Sequence, residues 1–271
     1  MKKITLILTM LLMSAFAFAE LTTGEQVARA ARDRDTGDTM MAAMEMILID
    51  GNGNPRPTRA INTWAYTYDK ELDLSKVVME FVSPASIRGT RFLTVAQPLG
   101  TDDDKWIYLP DLKRVRRIAS ADKGSSFVGS DFSYGDMETR EVEEDTHKLL
   151  GSEVVNGYEC YVIESIPVDM ADAQYSKRIV YVTKEHYVPM KAELYNKRTG
   201  ELEKVMKVEG EIKQVQDIWT IFETVMTTVN TGHSTVLKMR NDNSGNPMIK
   251  YNVKVDPRRF TQEFLETGRA R

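Results

Sequence analysis

The chain has 271 residues, 42% of them apolar, a formal net charge of −4 and a single cysteine. That length fits one β-sandwich or barrel, the mild acidity argues against a nucleic-acid binder, and one cysteine excludes an internal disulfide. The N-terminus suggests a compartment. Lys2 and Lys3 precede an apolar run over residues 4–13, and Ala17-Phe18-Ala19 offers small residues for cleavage, so residues 1–19 are expected to be a signal peptide cut after Ala19. The run is shorter than the ~20 residues that span a bilayer, and no later segment approaches that length. Cys160 is too far downstream to carry a lipid anchor. The expectation is a periplasmic protein whose mature part, residues 20–271, is a single domain and a monomer.

Residues 24–35 carry Val27, Ala28 and Ala31 among charged residues at helical spacing, which predicts a helix. The period then changes to two. Met40, Ala42, Met44, Met46 and Leu48 share one face of a strand that ends in the turn 50–54, and the next strand carries Ala60, Asn62, Trp64, Tyr66 and Tyr68. The same alternation recurs over 76–83, 91–97, 105–109 and 114–119, then around the Asn156-Gly157 turn. It continues over 178–183, 189–195, 201–213, 218–228 and 234–240. That makes about a dozen strands, joined by turns too short for parallel crossovers, so the fold class is mainly β with a few helices, an antiparallel meander of hairpins. Residues 120–147 break the rhythm with Gly, Ser and aromatic residues and then an acidic stretch at 136–145, which predicts a functional or mobile segment with some short helix. The tail predicts a brief closing helix with Phe260 and Phe264 on one face.

Catalytic patterns fail when read residue by residue. His147, His186 and His233 fall in or beside predicted loops, with no partner at metal-ligand spacing. The turn at 50–54 begins like a calcium loop, but Pro55 stands where glycine is required and Ile61 where the bidentate glutamate belongs. Asp102, Asp103 and Asp104 read as a solvated charge run, and Cys160 as a small inward-facing hydrophobe. Residues 124–129 match neither a nucleophile elbow nor a phosphate-binding loop. No enzyme and no cofactor are expected. Two features fit lipid binding. Met44, Met46 and Leu48, with Trp64 and Tyr66 on the next strand, either line a cavity or form ordinary core. On the basic strand, Arg114 and Arg116 alternate with Arg117, and these side chains either meet an anionic headgroup at a cavity rim or stay in water.

Several blocks resemble the outer-membrane lipoprotein-sorting protein family with a LolA-like fold: Phe81-Val82-Ser83-Pro84, Arg88-Gly89-Thr90-Arg91-Phe92-Leu93, Trp106-Ile107-Tyr108-Leu109-Pro110, residues 113–118 and, most specifically, residues 126–137. Val128 and Gly135 depart from the family pattern, where a methionine and an acidic residue are expected. The resemblance implies a curved antiparallel sheet forming an unclosed β-barrel, covered by a lid of helix and loop, with an apolar cavity between them. It places Phe127, Phe132 and Tyr134 in that lid. The implied role is a periplasmic carrier of lipid or lipoprotein acyl chains towards the outer membrane, with an inner-membrane transporter and an outer-membrane acceptor as partners. The alternative it leaves is an accessory module of a resistance-nodulation-division type envelope transporter that carries no lipid.

Overall fold

The computed structural model describes residues 20–270, and the expected signal peptide lies outside the described residues. Helix α1 (Gly24–Arg32) is shorter than the periodicity predicts. Thr23 and Gln26 form a capping box at its start, Glu25 sits in its first turn, and Arg29 and Arg32 occupy its last turn, each favourable against the helix dipole. Gly24 lies so close to the sheet that a Cβ there would stand 2.6 Å from the backbone nitrogen of Lys148.

Alternation yields strands almost everywhere it occurs. Among the described residues there are sixteen: β1 (Thr39–Ile49), β2 (Arg59–Asp69), β3 (Leu74–Ser83), β4 (Arg91–Val95), β5 (Asp104–Leu109), β6 (Arg114–Arg117), β7 (Asp145–Val155), β8 (Tyr158–Pro167), β9 (Tyr175–Thr183), β10 (Pro189–Asn196), β11 (Leu202–Val208), β12 (Lys213–Val215), β13 (Ile218–Thr220), β14 (Glu223–Thr228), β15 (Ser234–Met239) and β16 (Ile249–Tyr251). The acidic stretch contributes only 3-10 turns, at Gly135–Met137 and Val142–Glu144, and α2 (Gln262–Thr267) closes the chain. Residues 145–147 belong to β7, so the irregular segment ends at 144. His147 is accordingly in a strand, its two ring nitrogens within hydrogen-bond distance of Ser165 Oγ (2.8 Å) and the Val142 carbonyl (2.9 Å). Among the described residues, no helix is long and apolar enough to cross a membrane.

Fourteen strands form one antiparallel sheet in the order β6-β5-β4-β3-β2-β1-β15-β14-β11-β10-β9-β8-β7, with β16 also paired to β1. Hairpins build each half, as expected, but the halves are joined by pairing the first long strand to β15. The two free edges, β6 and β7, are consecutive in the chain. The sheet therefore stays open, and the segment linking its edges must cross the gap between them.

The sheet bends around one apolar cluster. Phe92, Ile107 and Ile118 from one half share it with Tyr175, Ala192 and Leu194 from the other, and Met46, Leu48, Ile61 and Phe81 lie between. Val27 of α1 extends the concave packing onto Tyr161, Ile163 and Val182 near the β7 edge. The convex face is covered too. Trp64, Val78 and Leu93 meet Phe260, Phe264 and Leu265 of the closing segment, with Trp64 edge-on to Phe264 at 6.4 Å and Tyr66 against Phe260 at 5.9 Å. This places Trp64 and Tyr66 on the face opposite Met46, because alternation along β2 sends Ile61 inward and these aromatics outward. Cys160 is buried in a further cluster with Val162, Tyr181 and Met190, and burial pushes its thiol up to about 11.

Candidate functional site

Residues 118–144 run from β6 to β7 across the concave face. Their centre is a tight hairpin: the Phe127 N–H donates to the Phe132 carbonyl (2.7 Å) and the Ser130 N–H to that of Phe127 (3.0 Å). Val128 and Gly129 form the tip, with φ of +52° and +76°. A β-branched residue is ill suited to this left-handed conformation, which costs a non-glycine residue of order 1–3 kcal/mol. The tip is thus held by its surroundings rather than by local preference.

Phe127 is 1% exposed and stands 5.0 Å from Phe92, 6.1 Å from Phe81 and 5.8 Å from Tyr134, measured between ring centres. With Phe132 it belongs to the same buried cluster as Met46, Leu48 and Ile61, with Met44 and Tyr134 packed at its margin. The hollow expected under the lid is therefore filled by the lid's own rings. Burying the Phe127 and Phe132 rings is worth roughly 1.5–3 kcal/mol each, and the half-buried Tyr134 adds less. Open space remains beside the lid, as a polar cleft of about 490 Å³ bordered by Asp103, Lys123 and Arg140, and a second of about 440 Å³ bordered by Arg59, Arg88 and Leu112.

Polar bonds pin the lid at several points. The Asp131 carboxylate accepts from the Thr228 hydroxyl (2.6 Å) and the Thr235 hydroxyl (2.7 Å), and the Asp131 N–H donates to Thr235 Oγ1 (2.9 Å). Asp136 accepts from the Tyr175 hydroxyl (3.0 Å) and lies 3.5 Å from Lys204 Nζ. Glu138 pairs with Lys105, a β5 side chain only 2% exposed. Arg59 donates to the carbonyl of Val128 at the tip (2.7 Å). Hydrogen bonds to charged groups are worth about 1.5–3 kcal/mol each, so these anchors rival the aromatic packing. Asp131→Asn keeps an acceptor for one threonine and loses the charge. It should lower the free energy of lid opening by about 1–2 kcal/mol, seen as faster hydrogen exchange over residues 126–134 with the sheet amides unchanged.

A family model described as that of an uncharacterized protein matches residues 73–267. A DUF1329 family protein from Desulfovibrio piger is 27% identical over 89% of this chain and 97% of its own, with a TM-score of 0.81. An outer membrane lipoprotein-sorting protein domain from Vibrio parahaemolyticus is 33% identical over 90% of this chain and 98% of its own, at a TM-score of 0.79. The chain belongs to the outer-membrane lipoprotein-sorting protein family. A LolA superfamily protein from Nitrosomonas europaea, 18% identical over 90% of this chain and 100% of its own at a TM-score of 0.65, shares the fold. No curated protein matches the sequence.

Within this sorting-family fold, the residues singled out from sequence fall into three places. Met44, Met46 and Leu48 lie on the concave face, in the same apolar cluster as the lid residues Phe127, Phe132 and Tyr134. Trp64 and Tyr66 are across the sheet. On β6, Arg114 and Arg116 share the inward-facing side with their cross-strand neighbours Leu109 and Ile107, while Arg117 lies opposite Trp106 on the convex side. Arg116 and Arg117 pair with Asp122 and Asp104. Sequence reading passes over Arg59, Lys105, Asp131 and Glu138. Lys105 was detectable, since it has the parity of the inward residues Ile107 and Leu109.

The expected solvated aspartate run is also partly buried. Burial pushes the Asp103 carboxyl up to about 6 against the pull of the Gln97 N–H, and the nearby Glu138 charge adds to the rise. Its second carboxylate oxygen is buried and unpartnered among the described residues. A carboxyl raised in the folded state costs nothing where both states are protonated. Between about pH 4 and 6 the unfolded chain ionises first, so stability falls as pH rises and stays lower above 6. With partial exposure discounted, the loss should be about 1–2 kcal/mol. Urea titrations from pH 4 to 7 should show this decline, and Asp103→Asn should flatten it.

Proposed function

We propose that this protein is a non-enzymatic periplasmic carrier that takes acyl chains onto the concave face of its sheet, in the place now held by the lid rings. The observation that carries this reading is the buried hairpin at residues 126–133. It is a short, strained turn within the segment that links the sheet's open edges and, with Tyr134 just after it, fills the concavity with three aromatic side chains. The family name of the Vibrio parahaemolyticus relative, lipoprotein sorting, points to the same chemistry.

The energies favour reversible exchange. Burying alkyl chain gives ~0.8 kcal/mol per CH₂, so one long chain supplies on the order of 10 kcal/mol. Expelling three rings and breaking the lid's polar bonds costs a comparable amount. A near-balanced exchange suits a carrier, which must release as well as bind. Delivery would run from an inner-membrane transporter towards an outer-membrane acceptor.

Native mass spectrometry of protein purified from its own periplasm tests the reading. A bound mass matching a lipid or an acylated lipoprotein is expected. A consistently empty protein would contradict it and favour an accessory module of a resistance-nodulation-division type transporter.

A further inference from the structure

The cleft of about 440 Å³ beside the lid tip is bordered by Arg59, Ile87, Arg88, Leu109, Leu112 and Val128, among others. Its volume is within the range of small-ligand sites. Its arginines are among those in the molecule that lack a carboxylate partner among the described residues. Arg116 and Arg117 nearby have carboxylate partners, and so do Arg29, Arg32, Arg91 and Arg140. Among the described residues, Arg59 and Arg88 have none, and neither does Arg114, which stands directly across the β5–β6 ladder from Leu109 on the same face. Arg59 is half-buried and donates only to the Val128 carbonyl and, weakly, to Met46 Sδ at 3.8 Å. Arg88 gives its Nε–H to the Val82 carbonyl and leaves its two amino groups free among the described residues. Asp111 is the one carboxylate bordering the cleft among the described residues.

A half-buried guanidinium satisfied by a neutral carbonyl is under-compensated, and burial together with the neighbouring Arg56 pushes Arg59 below its usual value. Arg59 and the exposed Arg88 border this one opening, with exposed Arg114 next to it across the ladder from Leu109, and guanidinium groups bind a phosphate oxyanion through paired N–H donors. The apolar rim gives the source. Ile87, Leu109 and Val128 lead from the cleft to the concave cluster that holds Met46 and Phe127, and Leu112 at the outer lip is exposed.

Resting on the carrier reading, we infer that this cleft is the headgroup site, taking the phosphate of an anionic lipid whose acyl chain runs under the lid. An anion on Arg59 also competes with the Val128 carbonyl, so headgroup arrival loosens the lid tip.

The test uses calorimetric titration of the mature protein with dodecyl phosphate, dodecanol and inorganic phosphate. Dodecyl phosphate should bind at least about tenfold tighter than dodecanol, the factor of one charge-assisted hydrogen bond, and the ratio should shrink at high salt. Arg88→Gln and Arg114→Gln, both at exposed positions, should each bring that ratio towards one. Equal binding of the two alkyl probes would overturn the headgroup site and leave the carrier reading standing. Inorganic phosphate binding as tightly as dodecyl phosphate would overturn the lipid assignment in favour of a free anion. Failure of both alkyl probes would remove this inference and the carrier reading together.

Discussion

Replacing Phe127 and Phe132 together by alanine is expected to raise the rates of acyl-chain entry and escape on the order of a hundredfold or more, with the sheet still folded. Each ring is buried in the concave cluster, and a buried Phe→Ala change costs about 3–5 kcal/mol when the site cannot collapse. The loss here has a ceiling. Once the lid prefers to be open, further weakening of its contacts changes nothing in the rest of the fold, so global stability falls by no more than the free energy of lid closure. Phe264→Ala provides the contrast. It carves the convex cluster beneath α2, should lower global stability by the full ~3–5 kcal/mol, and should leave entry and escape unaltered. Stopped-flow fluorescence with a fatty-acid probe, alongside urea unfolding, separates the two. Equal stability losses with equal rates would mean that Phe127 is plain core.

Lys105→Ala should lower stability by about 3–5 kcal/mol at neutral pH, because it leaves the Glu138 carboxylate half-enclosed and unpaired beside Asp103. The lysine points inward from β5 and ties the outgoing limb of the lid to the sheet. The cost lies in the orphaned charge rather than in the lost attraction. Lys105→Met combined with Glu138→Leu, which removes both charges and keeps much of the volume, should therefore recover most of the loss. Urea unfolding of Lys105→Met, Glu138→Leu and the double variant completes the cycle. A double variant as unstable as the sum of its parts would mean that the two residues act independently.

Much of this architecture was legible in the sequence, and its gaps have definite causes. Met46 and Leu48 could be assigned to one face by alternation, and the lid was visible as a break in that alternation rich in aromatic and small residues. Trp64 and Tyr66 were misplaced because both faces of the sheet are covered, one by the lid and the other by α2. Large apolar side chains then mark both sides equally, and parity alone does not say which side is concave. Arg117 shows the same ambiguity on β6. Asp103 and Lys105 were hidden in a charged run that resembles a surface turn, and their burial depends on the acidic limb of the lid, more than thirty residues away in the chain. The pairing of β1 with β15 is likewise non-local, since no turn connects them.

The central claim is that the lid rings and an acyl chain compete for one concave surface. Hydrogen exchange followed by mass spectrometry, with and without a long-chain lipid, measures this directly. The claim predicts that residues 120–137 exchange faster when lipid is bound, because the hairpin is displaced, while the strands β1, β2 and β3 beneath become more protected. Exchange over residues 120–137 as slow as in those central strands, and indifferent to added lipid, would contradict it and make the segment a permanent plug.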